Sequence, residues 1–355
     1  MTRYLLCALA LLICSPSYAG DDPSLEQLLA EEVNAGVFMG NVLIADGDEV
    51  IFEASYGSAN LEWGIANASD TKFQIGSLAK QINAAAILLL KERGLLDLDD
   101  PVKAHFPKAP PHWDRITLRH LLTHTSGIVN ITAHSDIDRL VRLPLSQEEQ
   151  FALFIEEPLE FAPGERWQYS NSGYLVLDAV IENVSGETWE EFTTSNIFAP
   201  LGMNDTGLDD LRRILPKRAS GYSLSDGLLR NAEFEEVAIR KGAGGLYSTT
   251  HDLLKWQRGL FNGKLLSAAS VDEMMTPAAD AIRGSSYGLG FLIQDDDDGR
   301  LIWHRGSNNG FKGWVGYDPD ADITVIILTN IRDSQLLDLG PRLVQVSRAR
   351  ATPPN

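Results

Sequence analysis

A serine stands three residues ahead of a lysine in Ser77-Leu78-Ala79-Lys80, at the head of an apolar run with helical spacing. One helical turn puts both side chains on the same face. A serine hydroxyl attacks a carbonyl only after another group takes its proton. A lysine withdrawn from water loses its preference for the charged form, and its free amine can take that proton. The same four residues also describe a capping serine followed by a surface lysine, so the rest of the chain decides.

A second cluster, Tyr169-Ser170-Asn171, follows Pro163-Gly164 in a loop just before a helical segment. In extended chain, residues two apart point the same way. Tyr169 and Asn171 then offer a phenol for proton relay and an amide for the lysine or the substrate. A third cluster, His304-Arg305-Gly306, ends a strand-like run and precedes Ser307-Asn308-Asn309-Gly310.

Taken together, these residues resemble the serine β-lactamase and penicillin-binding-protein superfamily. The markers S-x-x-K, Y-x-N and H-x-G occur in family order, 92 residues from Ser77 to Tyr169 and 135 from Tyr169 to His304. Phe73 to Gly76, Leu121 to Gly127 and Gly244 to Thr249 are similar to the same family. The resemblance implies an acyl-enzyme on Ser77, with Lys80 as proton acceptor, alone or jointly with Tyr169. It makes Tyr169 the proton donor to the leaving group and gives Asn171 contacts to Lys80 and the substrate amide. The backbone N–H groups of Ser77 and Ser307 form the implied oxyanion hole, and Gly306 lets substrate lie close to the strand. β-Lactamases of this superfamily usually carry K-T-G or K-S-G where this chain has His304-Arg305-Gly306. The H-x-G form is similar to D-alanyl-D-alanine carboxypeptidases, D-aminopeptidases and related esterases. Arg305 could then hold a substrate carboxylate, although strand alternation can point it away. No metal or organic cofactor is implied.

These residues need a frame. An amphipathic helix is predicted over Pro23 to Ala35, and strands over Val37 to Ile44 and Val50 to Tyr56 with a turn at Ala45 to Asp48. The Ser77 helix runs to Arg93 and stops at Gly94. Helical segments follow at Thr117 to His124, Ser146 to Ile155, Ser172 to Val184, Thr188 to Phe198, Thr249 to Leu260 and Ser267 to Met275. Strands are predicted at Gly288 to Gln294, Leu301 to His304, Phe311 to Asp318 and Ile323 to Asn330, then a helix over Gln335 to Val346. Strands at both ends with helices between give an α+β, β-lactamase-like fold: one antiparallel sheet built from N- and C-terminal parts, flanked by helices, with an inserted helical region. The expected division is a signal peptide at 1–19 and one catalytic domain at 20–355. In that domain the sheet subdomain covers about 20–76 and 236–350, and the helical region about 77–235.

Residues 1–19 carry Arg3, an apolar Leu5 to Ile13 and a small-x-small site at Ser17-Tyr18-Ala19, the pattern of a secretory signal. Ile13 stands where a lipobox before Cys14 needs a small residue. Secretion or a periplasmic location is expected, with Gly20 first. Cys7 and Cys14 are the chain's two cysteines, so the processed chain would hold no disulfide and no thiolate site. A net charge of -19 disfavours nucleic acid and anionic membranes as partners, and leaves a small molecule or peptide as the expected substrate. No later segment is long and apolar enough to span a bilayer. The oligomeric state is not encoded in any recognisable pattern.

Other patterns in the chain compete with this reading. Gly284-Ser285-Ser286-Tyr287-Gly288 fits a nucleophile elbow with Asp295 and His304 downstream, but that elbow needs a strand before it and a helix after it. His120 and His124 have the spacing of two zinc ligands but lack the intervening glutamate, and read as core or cap histidines. Gly242 to Gly245 is glycine-rich without a dinucleotide-binding context. Asp295 to Asp298 reads as a hairpin tip rather than a calcium loop. Sequons begin at Asn67, Asn130, Asn183 and Asn204. β-Lactam hydrolysis is the alternative activity, and a penicillin-binding sensor that is acylated without turnover is the non-enzymatic alternative.

Overall fold

The computed structural model describes residues 23–297 and 299–351. The expected signal segment with Cys7 and Cys14, Asp298 and the 352–355 tail lie outside the described residues.

Helix α1, Pro23–Asn34, leads into the hairpin of β1, Gly40–Asp46, and β2, Glu49–Tyr56. Gly47 turns this hairpin at φ 55°, a conformation that glycine adopts without penalty. Six more strands join the same sheet: β3, Ala279–Asp280; β4, Ser286–Tyr287; β5, Leu292–Asp296; β6, Gly299–Asn308; β7, Phe311–Asp318; and β8, Ile323–Thr329. Their spatial order is β3-β4-β5-β6-β7-β8-β1-β2, with every pair antiparallel. The N-terminal hairpin thus closes onto the last strand, the architecture expected from strands at the two ends of the chain.

The strand β8 shows why the apolar run folds this way. All seven of its residues are buried, as a strand covered on both faces requires. Ile323, Val325 and Ile327 enter one core, with Leu25 and Leu29 of α1 and with Leu336, Leu339 and Leu343 of the C-terminal helix. Ile326 and Leu328 enter the other, shared with the helical region. That second core holds α2, Ala79–Glu92, α3, Asn171–Ser185, and α4, Thr250–Phe261. The C-terminal helix α5 is Leu336–Ala351, longer than its predicted span.

Two shifts of predicted boundaries bear on the site. Gly288 to Gln294 is not one strand. Gly288 N–H donates to the Phe291 carbonyl, and Gly290 adopts φ 80°, so a turn separates β4 from β5. A Cβ on Gly290 would lie 2.9 Å from the Lys80 carbonyl oxygen, and this close approach to α2 explains the glycine. The strand expected to end at His304 continues to Asn308, which places the third cluster inside β6. Asp295 to Asp297 lie at the β5–β6 hairpin, as expected of an acidic tip.

Candidate active site

Ser77 sits in a 3-10 turn, Gly76–Leu78, that feeds directly into α2. Lys80 is in the first turn of α2 and is fully buried. Its Nζ lies 3.2 Å from Ser77 Oγ and 2.8 Å from Asn171 Oδ1, and it also meets the Ala243 carbonyl oxygen. Burial, reinforced by the Arg240 charge and opposed by Asp178, holds the amine's pKa well below that of a free lysine. A neutral amine has two N–H groups and one lone pair. The Asn171 and Ala243 oxygens accept the two N–H groups, which leaves the lone pair for Ser77.

Tyr169 Oη donates to Ser77 Oγ over 2.7 Å. Burial raises the pKa of this phenol, so it keeps its proton. With the amine neutral, donation runs one way, from Tyr169 to Ser77 and from Ser77 to Lys80. Asn171 opens α3, and its Nδ2 donates to Asn130 Oδ1 over 3.3 Å. Its backbone N–H reaches the same oxygen at 3.1 Å. Asn130 thereby fixes the amide so that Oδ1 faces Lys80.

The strand β6 passes against the Ser77 turn. A Cβ built on Gly306 would fall 3.0 Å from Ser77 N, and one on Gly76 would fall 2.5 Å from Ser307 N. The two peptide groups thus meet with no side chain between them. From His304 onward β6 has no strand paired to its outer edge among the described residues, because pairing with β5 stops at Leu292↔Trp303. This open edge borders a cleft of about 630 Å3 lined by Ser77, Tyr169, Trp167, Tyr287, Arg305 and Lys312, among others. Arg305 is exposed while His304 and Gly306 are buried. It is on the opposite side of the strand from them and reaches the cleft's rim.

His304 is a buried neutral ring. Its Nδ1–H donates to the Arg305 carbonyl over 2.7 Å, and its Nε2 accepts from Tyr287 Oη over 3.1 Å. Burial, with Lys80 adding to it, pushes its pKa down to about 3. A folded-state pKa below the unfolded value costs nothing above pH 6.5. Below that pH the unfolded chain binds a proton that the native ring refuses, so stability falls with pH by about 1.4 kcal/mol per unit. Urea titrations of His304→Gln are expected to show about 2 kcal/mol less loss between pH 6.5 and 5 than wild type. The limbs of the pH–rate profile between pH 5 and 8 are expected to stay in place. A limb that moves would return an acid–base role to His304.

The competing patterns resolve structurally. Ser286 lies in a two-residue strand followed by a turn and another strand, without the helix an elbow requires. His120 caps the short Leu118–Leu122 helix through Thr117, and His124 turns away at φ 58°. Gly242 to Gly245 serves Lys80 instead of a nucleotide. A Cβ on Gly242 would fall 2.5 Å from Asn83 and 2.6 Å from Asp178, so glycine lets this loop bring the Ala243 carbonyl to the lysine. Trp303 stacks on Trp314 in the other core, while Trp167 lines the cleft.

The Beta-lactamase family model matches residues 25–347. A penicillin-binding protein of Bacillus subtilis (strain 168) is 30% identical over 320 residues, covering 82% of this chain and 68% of its own length. The structure of a penicillin-binding protein from Bacillus halodurans superposes with a TM-score of 0.81 at 28% identity, over 92% of this chain and 99% of that one. A D-stereospecific amidohydrolase from Streptomyces sp. shares the fold, with a TM-score of 0.79 at 24% identity over 89% of this chain and 96% of that one. The chain belongs to the Beta-lactamase family. It is a serine hydrolase of the β-lactamase-like type.

Proposed function

We propose that the protein is an exported hydrolase that cleaves amide or ester bonds of small peptides, some with D-residues, through a Ser77 acyl-enzyme. One observation carries this reading: Ser77 Oγ is held between a buried Lys80 amine at 3.2 Å and the Tyr169 phenol at 2.7 Å. The depressed lysine and the raised tyrosine favour Lys80 as the base. Ser77 attacks the carbonyl and passes its proton to Lys80, while the Ser77 and Ser307 N–H groups take the oxyanion. Tyr169 then protonates the leaving group, and water releases the acyl chain by the reverse transfers. Arg305 and Lys312 at the cleft suit a leaving group that bears a carboxylate. Export rests on the 1–19 sequence pattern.

The test is intact-protein mass after brief exposure to a fluorophosphonate and, separately, to a penicillin, with the adduct mapped. A fluorophosphonate adduct on Ser77 is expected, with hydrolysis of D-alanyl peptides or of D-aminoacyl amides. A stable penicillin adduct points to slow deacylation, and penicillin consumed without an adduct makes the protein a β-lactamase. No adduct on Ser77 from either reagent removes the assignment.

A further inference from the structure

Tyr169, as proton donor, marks the leaving-group side of Ser77, with Trp167, Tyr287 and Arg305 around it. The acyl half of a substrate therefore lies the other way, past Ser307. There a polar lobe of about 390 Å3 is lined by Asn308, Asn309, Asp138, Glu233, Arg240 and Arg332, among others. Beside it, and touching Asn171 and Ala243, an apolar slot runs between Ile131, Ile137, Leu140, Leu153, Leu175 and Ile239. Thr132, Ile137, Val141 and Arg240 line both compartments. Ile137, Val141, Leu153 and Ile239 are only partly buried. An apolar slot left partly open beside Asn171 and Ala243, the two groups that hold Lys80, is the kind of concavity that binds ligands.

We infer that this slot is an acyl-side subsite for a short aliphatic side chain, with the adjoining lobe taking the polar groups on the same acyl unit. The inference rests on the acyl-enzyme reading above. The slot's narrow, aliphatic lining suits the branches of valine or leucine. The substrate class is an aminoacyl amide, or a peptide with an aliphatic residue on the acyl side of the scissile bond.

The experiment compares kcat/KM for glycyl, alanyl, valyl, leucyl and phenylalanyl p-nitroanilides of both chiralities. Wild type is expected to favour valyl or leucyl over glycyl by at least about tenfold, the discrimination an apolar pocket gives per methylene. Val141→Phe, which narrows the junction, is expected to lower the leucyl-to-glycyl ratio at least tenfold. Val141→Ala is expected to shift preference toward the larger side chain. Ratios indifferent to both changes would overturn the subsite, as would a profile flat in side chain. A labelled Ser77 with no hydrolysis of any anilide would overturn it too. Absence of the fluorophosphonate label on wild type is the separate result that removes the acyl-enzyme reading itself.

His124 carries a second inference on different observations. Its carbonyl accepts from Gln168 N–H over 2.8 Å, and its Nδ1 accepts from Ser170 N–H over 3.2 Å. One residue thus grips the peptide on both sides of Tyr169. Its ring centroid lies 4.3 Å from that of Tyr169. The positive φ of 58° lets its carbonyl and its ring reach the same loop. Burial keeps the ring neutral, and its buried Nε2 has no partner among the described residues. The groups facing the ring are Tyr169, Tyr174, Tyr287 and Trp167, with the Lys80 amine and the His304 ring nearby.

We propose that His124 is a positioning residue that aims the Tyr169 phenol at Ser77. His124→Asn keeps an acceptor near the Nδ1 position and tolerates positive φ, but loses the ring. His124→Phe keeps a ring and loses the acceptor. Positioning predicts kcat within about threefold of wild type for asparagine, but a loss of about a hundredfold for phenylalanine with KM little changed, as for an ångström of misplacement. A packing role predicts the opposite order, following melting temperature. In a Tyr169→Phe background the kcat effect of His124→Phe is expected to vanish, which separates aim from backbone strain. An undiminished effect there would overturn the proposal. If the phenylalanine variant does not fold, a tenfold or greater kcat loss in His124→Asn does the same.

Discussion

Turnover is expected to vanish in Ser77→Ala, and acylation is expected to slow by about a hundred- to ten-thousand-fold in Lys80→Ala, the range for removing a positioned base. Among the described residues, only the buried amine lies within hydrogen-bonding reach of Ser77 Oγ with its basic form favoured. Tyr169, also in contact, is held protonated by burial. Lys80→Arg is expected to fail as badly, because a guanidinium keeps its charge and cannot accept the proton. The wild-type acylation rate is expected to rise with pH through the lowered lysine pKa and level off well before the ordinary lysine range. Lys80→Ala is expected to lose that limb. Timed fluorophosphonate labelling across pH reads all three variants. A rate near wild type in Lys80→Ala would move the base to Tyr169.

Much of this site was legible because side chains carried it. Ser77 and Lys80 share one helical turn, so local spacing exposed them. Phe311 to Asp318 and Ile323 to Asn330, observed to end at Thr329, were legible as strands because their apolar runs are dense in β-branched and aromatic residues. What escaped was carried by backbone or by distance. The Ala243 carbonyl that meets Lys80 is 163 residues away and leaves no side-chain signature. Asn130 looked like a sequon, because its hold on Asn171 forms only when the loop before Ile131 folds against α3. His124 was read as core or cap, and it is buried; its grip on the Tyr169 loop needs a left-handed turn that the sequence does not announce. The β6 boundary was misjudged because Arg305, Gly306 and Ser307 lack strand-forming side chains, while pairing with β7 carries the strand through to Asn308.

Gly306→Ala is expected to cost about a hundredfold or more in acylation, because space and not backbone freedom demands the glycine. A Cβ there would lie 1.8 Å from the Ile75 carbonyl oxygen and 2.8 Å from its carbon. Both are backbone atoms just before the Ser77 turn, so no side chain can swing aside. The strand must back away from Ser77, and Ser307 N–H goes with it. Loss of one oxyanion donor alone slows acyl transfer by about a hundred- to a thousand-fold. The displaced packing is expected to destabilise the fold by about 1–3 kcal/mol. Gly173 in α3 is the control for stability, since a Cβ there meets its nearest atom at an ordinary 3.5 Å; Gly173→Ala is expected to hold or raise the melting temperature. Labelling rates for Gly306→Ala are to be read on protein shown by circular dichroism to be folded, which separates a displaced donor from a collapsed domain. Folded Gly306→Ala that labels as fast as wild type would show that Ser307 N–H is not part of the oxyanion site. The Ser77 N–H would then need a partner donor from elsewhere along the open edge of β6.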